Sequence, residues 1–176
     1  MNIILLGYRG TGKSVVSRLL AKKLSRRLFS LDEMIEEAVG IPIPEIVSLW
    51  GWSRFREIET TLVAQVCEEA ENAVIDCGGG VVLNGENITL LKRKGKAVLL
   101  TAEFDALISR LKRDKGGRPR LEENLSWEDE HRKVLAEREG QYRAAADFVC
   151  DTTDQKPNDT VHDIIEFFKR QSWIDS

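Results

Sequence analysis

The sequence predicts an α/β fold in which helices cover a parallel sheet. Two observations predict it. Short apolar runs bounded by glycine or charge alternate along the chain with longer amphipathic runs. The first apolar run also passes through a glycine-rich loop straight into an amphipathic segment, giving the order strand, loop, helix.

Taken in order, Asn2–Leu6 has the pattern of a strand buried on both faces. Lys13–Leu24 follows as a helix that places Val16, Leu19, Leu20 and Leu24 on one face. Arg27–Leu31 is the next strand, and Asp32 opens a helix after it. Pro44 suits the first turn of a short helix, Glu45–Trp50. In Phe55–Glu69 the residues Ile58, Leu62 and Val66 share a helical face. Ala73–Ile75 and Lys96–Leu100 are further buried strands. Lys112–Asn124 is polar, basic and glycine-bearing, a mobile loop between two helices or merely a solvated one. Ser126–Ala146 reads as a helix with Ser126 as its N-cap, Phe148–Cys150 as a strand and Thr160–Phe168 as a helix. With no internal repeat, low-complexity tract or linker, residues 1–176 are expected to form one domain.

Composition excludes some classes. The 176 residues are 42% hydrophobic and 31% charged, the balance of a soluble globule, and the formal net charge is -3. No basic face points to nucleic acid or an anionic membrane. No apolar run approaches the roughly 18 residues of a membrane span. The first residues lead directly into the glycine loop and leave no room for a leader, so a cytoplasmic location is expected. Cys67, Cys77 and Cys150 lack metal-like spacing and read as reduced, buried thiols.

Gly7-Tyr8-Arg9-Gly10-Thr11-Gly12-Lys13-Ser14 fits G-x-x-x-x-G-K-S/T. Glycines let consecutive backbone N–H groups curl around a β-phosphate, and the helix beginning near Lys13 adds its positive end. Lys13 is placed to reach the β- and γ-phosphates, and the Ser14 hydroxyl to ligate Mg²⁺. The loop specifies a nucleotide but no reaction.

Other residues suggest an acceptor. Arg56 and Arg138 have the chemistry to fork onto one carboxylate, although residue type alone makes them more simply surface ion pairs. Asp32 suits a general base that orients a hydroxyl, or a helix N-cap. Gly78-Gly79-Gly80 carries a large entropic cost unless a ligand must approach the backbone closely. Arg118 on a closing loop would neutralise charge on a transferring phosphoryl.

Phe29-Ser30-Leu31-Asp32-Glu33-Met34-Ile35-Glu36, Phe55-Arg56-Glu57-Ile58-Glu59, the glycine triplet, Arg118-Pro119 and Arg138-x-x-x-Tyr142 occur in the order of the shikimate kinase family. The chain resembles that family over nearly its whole length. The resemblance implies a three-layer P-loop kinase fold with a five-stranded parallel sheet ordered 2-3-1-4-5. It implies a substrate segment at about residues 32–62 and a lid at about 112–124. The implied reaction is ATP plus shikimate giving ADP and shikimate 3-phosphate, with Mg²⁺, in aromatic amino acid biosynthesis, by a monomer. Lys13, Asp32 and Arg118 would be catalytic. Asp32, Arg56, Glu59, Gly78, Gly79, Gly80 and Arg138 would bind the acceptor, with Glu59 steadying Arg56. Gly7, Gly10, Thr11, Gly12, Lys13, Ser14, Val15, Arg110, Arg118 and Pro157 would bind ATP, with Arg110 stacking on adenine.

Two departures matter. The family's first acidic position, which serves the Mg²⁺ sphere, is Ser30, while a position often Ser or Thr is Asp76. Asp76 is expected to take over the water-mediated Mg²⁺ contact, the other reading being a turn cap. The lid carries Arg120 where the family's R-P-L-L has an apolar residue, which makes Arg120 a rival to Arg118. A gluconate-kinase-like enzyme and a non-catalytic, nucleotide-binding regulatory relative stay open as alternatives. Trp50 is expected in the core. Trp52 should lie on the substrate cover and report acceptor binding by fluorescence. His131 and His162, within charged helical patterns, are expected on the solvated surface, and Glu128-Asp129-Glu130 as a solvated first turn.

Overall fold

A computed structural model describes residues 1–113 and 124–175. Five strands form one parallel sheet: β1 (Asn2–Gly7), β2 (Leu28–Ser30), β3 (Val74–Asp76), β4 (Gly95–Thr101) and β5 (Phe148–Asp151). Their order is β2-β3-β1-β4-β5, as expected. The helices are α1 (Lys13–Lys23), α2 (Leu31–Val39), α3 (Ile43–Glu69), α4 (Gly85–Lys94), α5 (Phe104–Arg113), α6 (Trp127–Ala145) and α7 (Pro157–Arg170).

Alternation along the strands divides the core. Ile3, Leu5, Val74, Val98 and Leu100 pack with Val16 and Leu20 of α1 and Ile164 and Phe168 of α7. Ile4, Leu6, Ile75 and Leu99 face the other way, onto Val63 and Val66 of α3, Leu91 of α4 and Val134 and Tyr142 of α6. A third cluster, Ile35, Ile46, Phe55 and Leu62, joins α2 to α3 away from both.

The two helices expected on either side of Gly51 are the arms of one kinked helix. Gly51 adopts φ 79, ψ 170, a conformation costly for any residue with a Cβ, and so turns α3. The break lets residues 43–50 fold over the cavity while residues 52–69 pack on the sheet. Helix α4 had no expected counterpart, while α5 is the helix expected before the polar segment and runs on through Lys112 and Arg113, which were expected in the loop. The last helix begins earlier than Thr160, with Pro157 in its first turn. Ser126 is the N-cap of α6, its hydroxyl accepting from Asp129 N at 3.1 Å. Among the described residues no helix is long and apolar enough to cross a membrane. All three cysteines are free and buried.

Candidate active site

The loop after β1 shapes the first wall. Gly12 takes φ 90 as the N-cap of α1. That helix has no acidic residue in its first turn and no side-chain cap, so its leading N–H groups and positive end suit an anion. Within the loop, Thr11 Oγ1 donates to Tyr8 O at 2.8 Å, and Lys13 Nζ to Gly7 O at 2.7 Å and Tyr8 O at 3.3 Å. Arg110 braces the loop from outside, donating to Gly10 O at 3.2 Å, Thr152 Oγ1 at 3.0 Å and Thr153 O at 3.0 Å. Thr152 Oγ1 donates in turn to Thr11 O at 3.0 Å.

Beside this loop opens a cavity of about 290 Å³, the volume of a small-molecule site. Lys13 and Ser14 line its nucleotide side, and Asp32, Arg56, Glu59, the glycine triplet and Arg138 line the rest. Segments far apart in sequence thus bring two guanidinium groups and a carboxylate to the phosphate loop.

Arg56 donates to Glu59 Oε2 at 2.7 Å. The Glu59 side chain is 1% exposed, which rules out the surface ion pair that residue type alone favoured. Burial raises the Glu59 carboxyl above the ordinary carboxylate range, against the pull of Arg56. Its Oε1 makes no hydrogen bond among the described residues. The Arg56 guanidinium also lies 5.0 Å from the Phe55 ring centroid and 5.4 Å from that of Trp52, which lines the cavity as expected. Trp50, expected in the core, is exposed. It sits beside the Gly51 turn, where the chain leaves one helical arm before entering the next.

Arg138, on the buried face of α6, donates to Gly79 O at 3.2 Å. Tyr142 donates to the same carbonyl, and burial pushes its hydroxyl up to about 12, keeping it a donor. At Gly78 and Gly80 cavity side chains leave no room for a Cβ. A Cβ at Gly80 would come within 2.0 Å of Arg56 Nη2, and one at Gly78 within 2.8 Å of Asp32 Oδ1 and 2.9 Å of Glu59 Oε1. Asp32 is not the N-cap of α2. Ser30 holds that place and Asp32 lies in the first turn, on the cavity.

Asp76 ends β3 directly beside Ser30 of β2, its partner in sheet register. It accepts from Ser17 Oγ at 3.2 Å, and also interacts with Ser14 and Lys13. These partners belong to the phosphate loop and to α1. Burial raises its carboxyl above the ordinary range, Lys13 opposing.

His131, expected in solvent, is buried and shares a 2.7 Å hydrogen bond with the Tyr8 hydroxyl. Glu130 is buried as well, so only Glu128 and Asp129 form the exposed first turn. Asp129, Arg132 and Lys133, its other charged neighbours in sequence, are exposed on other faces of α6. His162 is exposed as expected. Val15 is half-exposed beside the loop, and Pro157 is exposed at the start of α7, neither on this cavity. Arg118 and Arg120 fall outside the described residues. Arg9 lines the cavity and was missed, since the variable positions of the loop motif carry no signal for it.

A phosphate loop that opens onto a cavity lined by two further arginines and a carboxylate has the make-up of a P-loop phosphotransferase site. A family model described as shikimate kinase matches residues 9–169. The shikimate kinase of Pelotomaculum thermopropionicum is 38% identical over 99% of both chains. That of Geobacter metallireducens is 40% identical over 96% of this chain and 92% of the relative. The solved shikimate kinase from Acinetobacter baumannii in complex with shikimate superposes with a TM-score of 0.90 at 30% identity, covering 97% of this chain and 93% of that one. The chain belongs to the shikimate kinase family.

Proposed function

We propose that the chain transfers the γ-phosphoryl of ATP to the 3-hydroxyl of shikimate, giving ADP and shikimate 3-phosphate. The observation that carries this is that Arg56, Arg138 and Asp32 line one cavity with Lys13 and Ser14. Arg56 and Arg138 grip the acceptor carboxylate, with Glu59 holding Arg56 in place. Gly78, Gly79 and Gly80 let the ring approach the backbone. Asp32 orients the attacking hydroxyl and accepts its proton. Lys13 holds the β- and γ-phosphates against Gly7, Gly10, Thr11 and Gly12, with Val15 in the first turn behind them. Arg110 and Pro157 flank the adenine. Arg118, on a lid spanning about residues 112–124, covers the transferring group and excludes water.

Ser14 and Asp76 fit a Mg²⁺ site, being a hydroxyl and a buried carboxylate side by side at the foot of the phosphate loop. Mg²⁺ usually takes one or two carboxylates with substrate phosphates and waters. When bound there it would neutralise charge on the phosphate oxygens. Asp76 beside Ser30 supports the exchange of the acidic position between neighbouring strands. A monomer acting in the cytoplasm completes the proposal.

A coupled ADP-release assay with shikimate, gluconate and quinate tests the reading. Turnover that depends on shikimate supports it. Turnover with gluconate alone makes the chain a different small-molecule kinase, and ATP binding without acceptor-dependent turnover makes it a regulatory module.

A further inference from the structure

Tyr8 belongs to the phosphate loop, yet its hydroxyl bonds a residue on the far side of the sequence. Its backbone carbonyl accepts from Thr11 and Lys13, two residues that address the phosphates. Its hydroxyl meets His131 Nδ1 at 2.7 Å, with both residues buried. Trp127 packs edge-on against the His131 ring, centroids 4.5 Å apart. Nothing in the phosphoryl transfer described above needs this pair.

His131, Val134, Arg138 and Tyr142 recur at helical spacing and are all buried, so they form one face of α6. One end of that face holds the phosphate loop through Tyr8. The other end holds Gly79, whose carbonyl accepts from Arg138 and Tyr142. Gly79 in turn lies against the loop, a Cβ there falling 3.6 Å from Gly7 O and 3.9 Å from Arg9 N. The contacts make a closed circuit: loop, Tyr8, His131, α6, Arg138, Gly79 and loop again. Such a circuit is a route by which a shift of the loop around phosphates would reach Arg138.

We propose that His131 is a positioning residue that links the phosphate loop, through Tyr8, to Arg138, so that nucleotide and acceptor tighten each other's binding. The inference rests on the donor and acceptor sites assigned above. Such coupling is reciprocal, and contact alone does not establish it, so it is measured as a ratio of affinities.

Calorimetry on the full chain gives the dissociation constant of shikimate with and without a non-hydrolysable ATP analogue and Mg²⁺. The parent ratio is expected to be about fivefold or more. His131→Leu and Tyr8→Phe each bring it to within about twofold of one, and the double variant goes no further, as expected for a single shared link. His131→Asn, whose side-chain oxygen replaces Nδ1, keeps most of the ratio. A parent ratio near one, or a ratio unchanged in His131→Leu, overturns the proposal. So does an equal loss in His131→Leu and His131→Asn, which would mark a packing role. Should His131→Leu fail to fold, Tyr8→Phe removes one oxygen atom and carries the same test. Failure of the parent to bind either ligand would overturn the functional reading instead.

Discussion

The side of the cavity proposed for the nucleotide comes from one contiguous run, Gly7–Ser14, of which Arg9, Lys13 and Ser14 reach the cavity. The side proposed for the acceptor is drawn from α2, α3, α6 and the glycine triplet, and its chemistry is mostly side chain. The first is held by covalent neighbours and by the strand and helix that flank it. The second is held by packing, and α2 and α3 are joined by a small core, Ile35, Ile46, Phe55 and Leu62, separate from the two that sandwich the sheet. Changes to packing on the acceptor side should therefore alter acceptor recognition while leaving the binding of nucleotide alone intact, and changes in the loop should do the reverse for each ligand bound singly.

The largest effect tests the loop. Lys13→Ala should lower kcat by about 10³-fold, the scale for losing a preorganised charge partner of the transition state. Calorimetry without nucleotide should find acceptor affinity preserved. An equal collapse of acceptor binding would break the division between the two sides.

Next come two acceptor-side variants. Arg56→Lys removes the planar fork and should cost about 10²-fold in kcat/KM for the acceptor. Gly80→Ala drives a methyl group into the same guanidinium, which lies at the end of a flexible side chain and can move aside. It should raise the acceptor KM by roughly 10- to 100-fold, the cost of misplacing a binding group by about an ångström. Titration with a fluorescent nucleotide should show unchanged affinity in both. Asp76→Asn comes third. It should raise the Mg²⁺ concentration for half-maximal rate by about tenfold, as expected for a group acting through the metal's waters. Unchanged Mg²⁺ dependence would remove Asp76 from the metal site.

The same division explains what could be read from the chain. Strand, loop and α1 were legible because each signal is local: apolar run, glycine spacing, then a 3.6-residue period. The order of the sheet came from family resemblance, since no strand pattern states its neighbour. Helix α4 was missed and α5 was left without bounds, although α5 carries an amphipathic pattern with Leu107 and Ile108 on its buried face, so the signal was present in the sequence. Convergence of Arg56, Arg138 and Asp32 is a tertiary fact, and residue type alone pointed Arg56 to the surface. His131 was misread because Glu128, Asp129, Arg132 and Lys133 surround it in sequence. The usable signal was the periodic row Trp127, His131, Val134, Arg138, Tyr142.

The smallest effect concerns Glu59, where packing and charge oppose one another. Its carboxyl is buried beside Asp32, and burial outweighs the attraction of Arg56, so its pKa is raised in the folded state. A raised acid binds more protons folded than unfolded. Its contribution to stability is complete below the ordinary carboxylate pKa and is lost as pH rises through the folded value. Glu59→Gln keeps an oxygen for Arg56 and cannot ionise. The Tm of this variant relative to the parent should therefore climb from the carboxylate range toward neutral pH and then level off. At this chain length each kcal/mol corresponds to about 2–4 °C, so a shift of a few degrees is measurable. A Tm difference that falls as pH rises would mean that pairing with Arg56 outweighs burial. The acceptor side would then owe its shape to charge more than to packing.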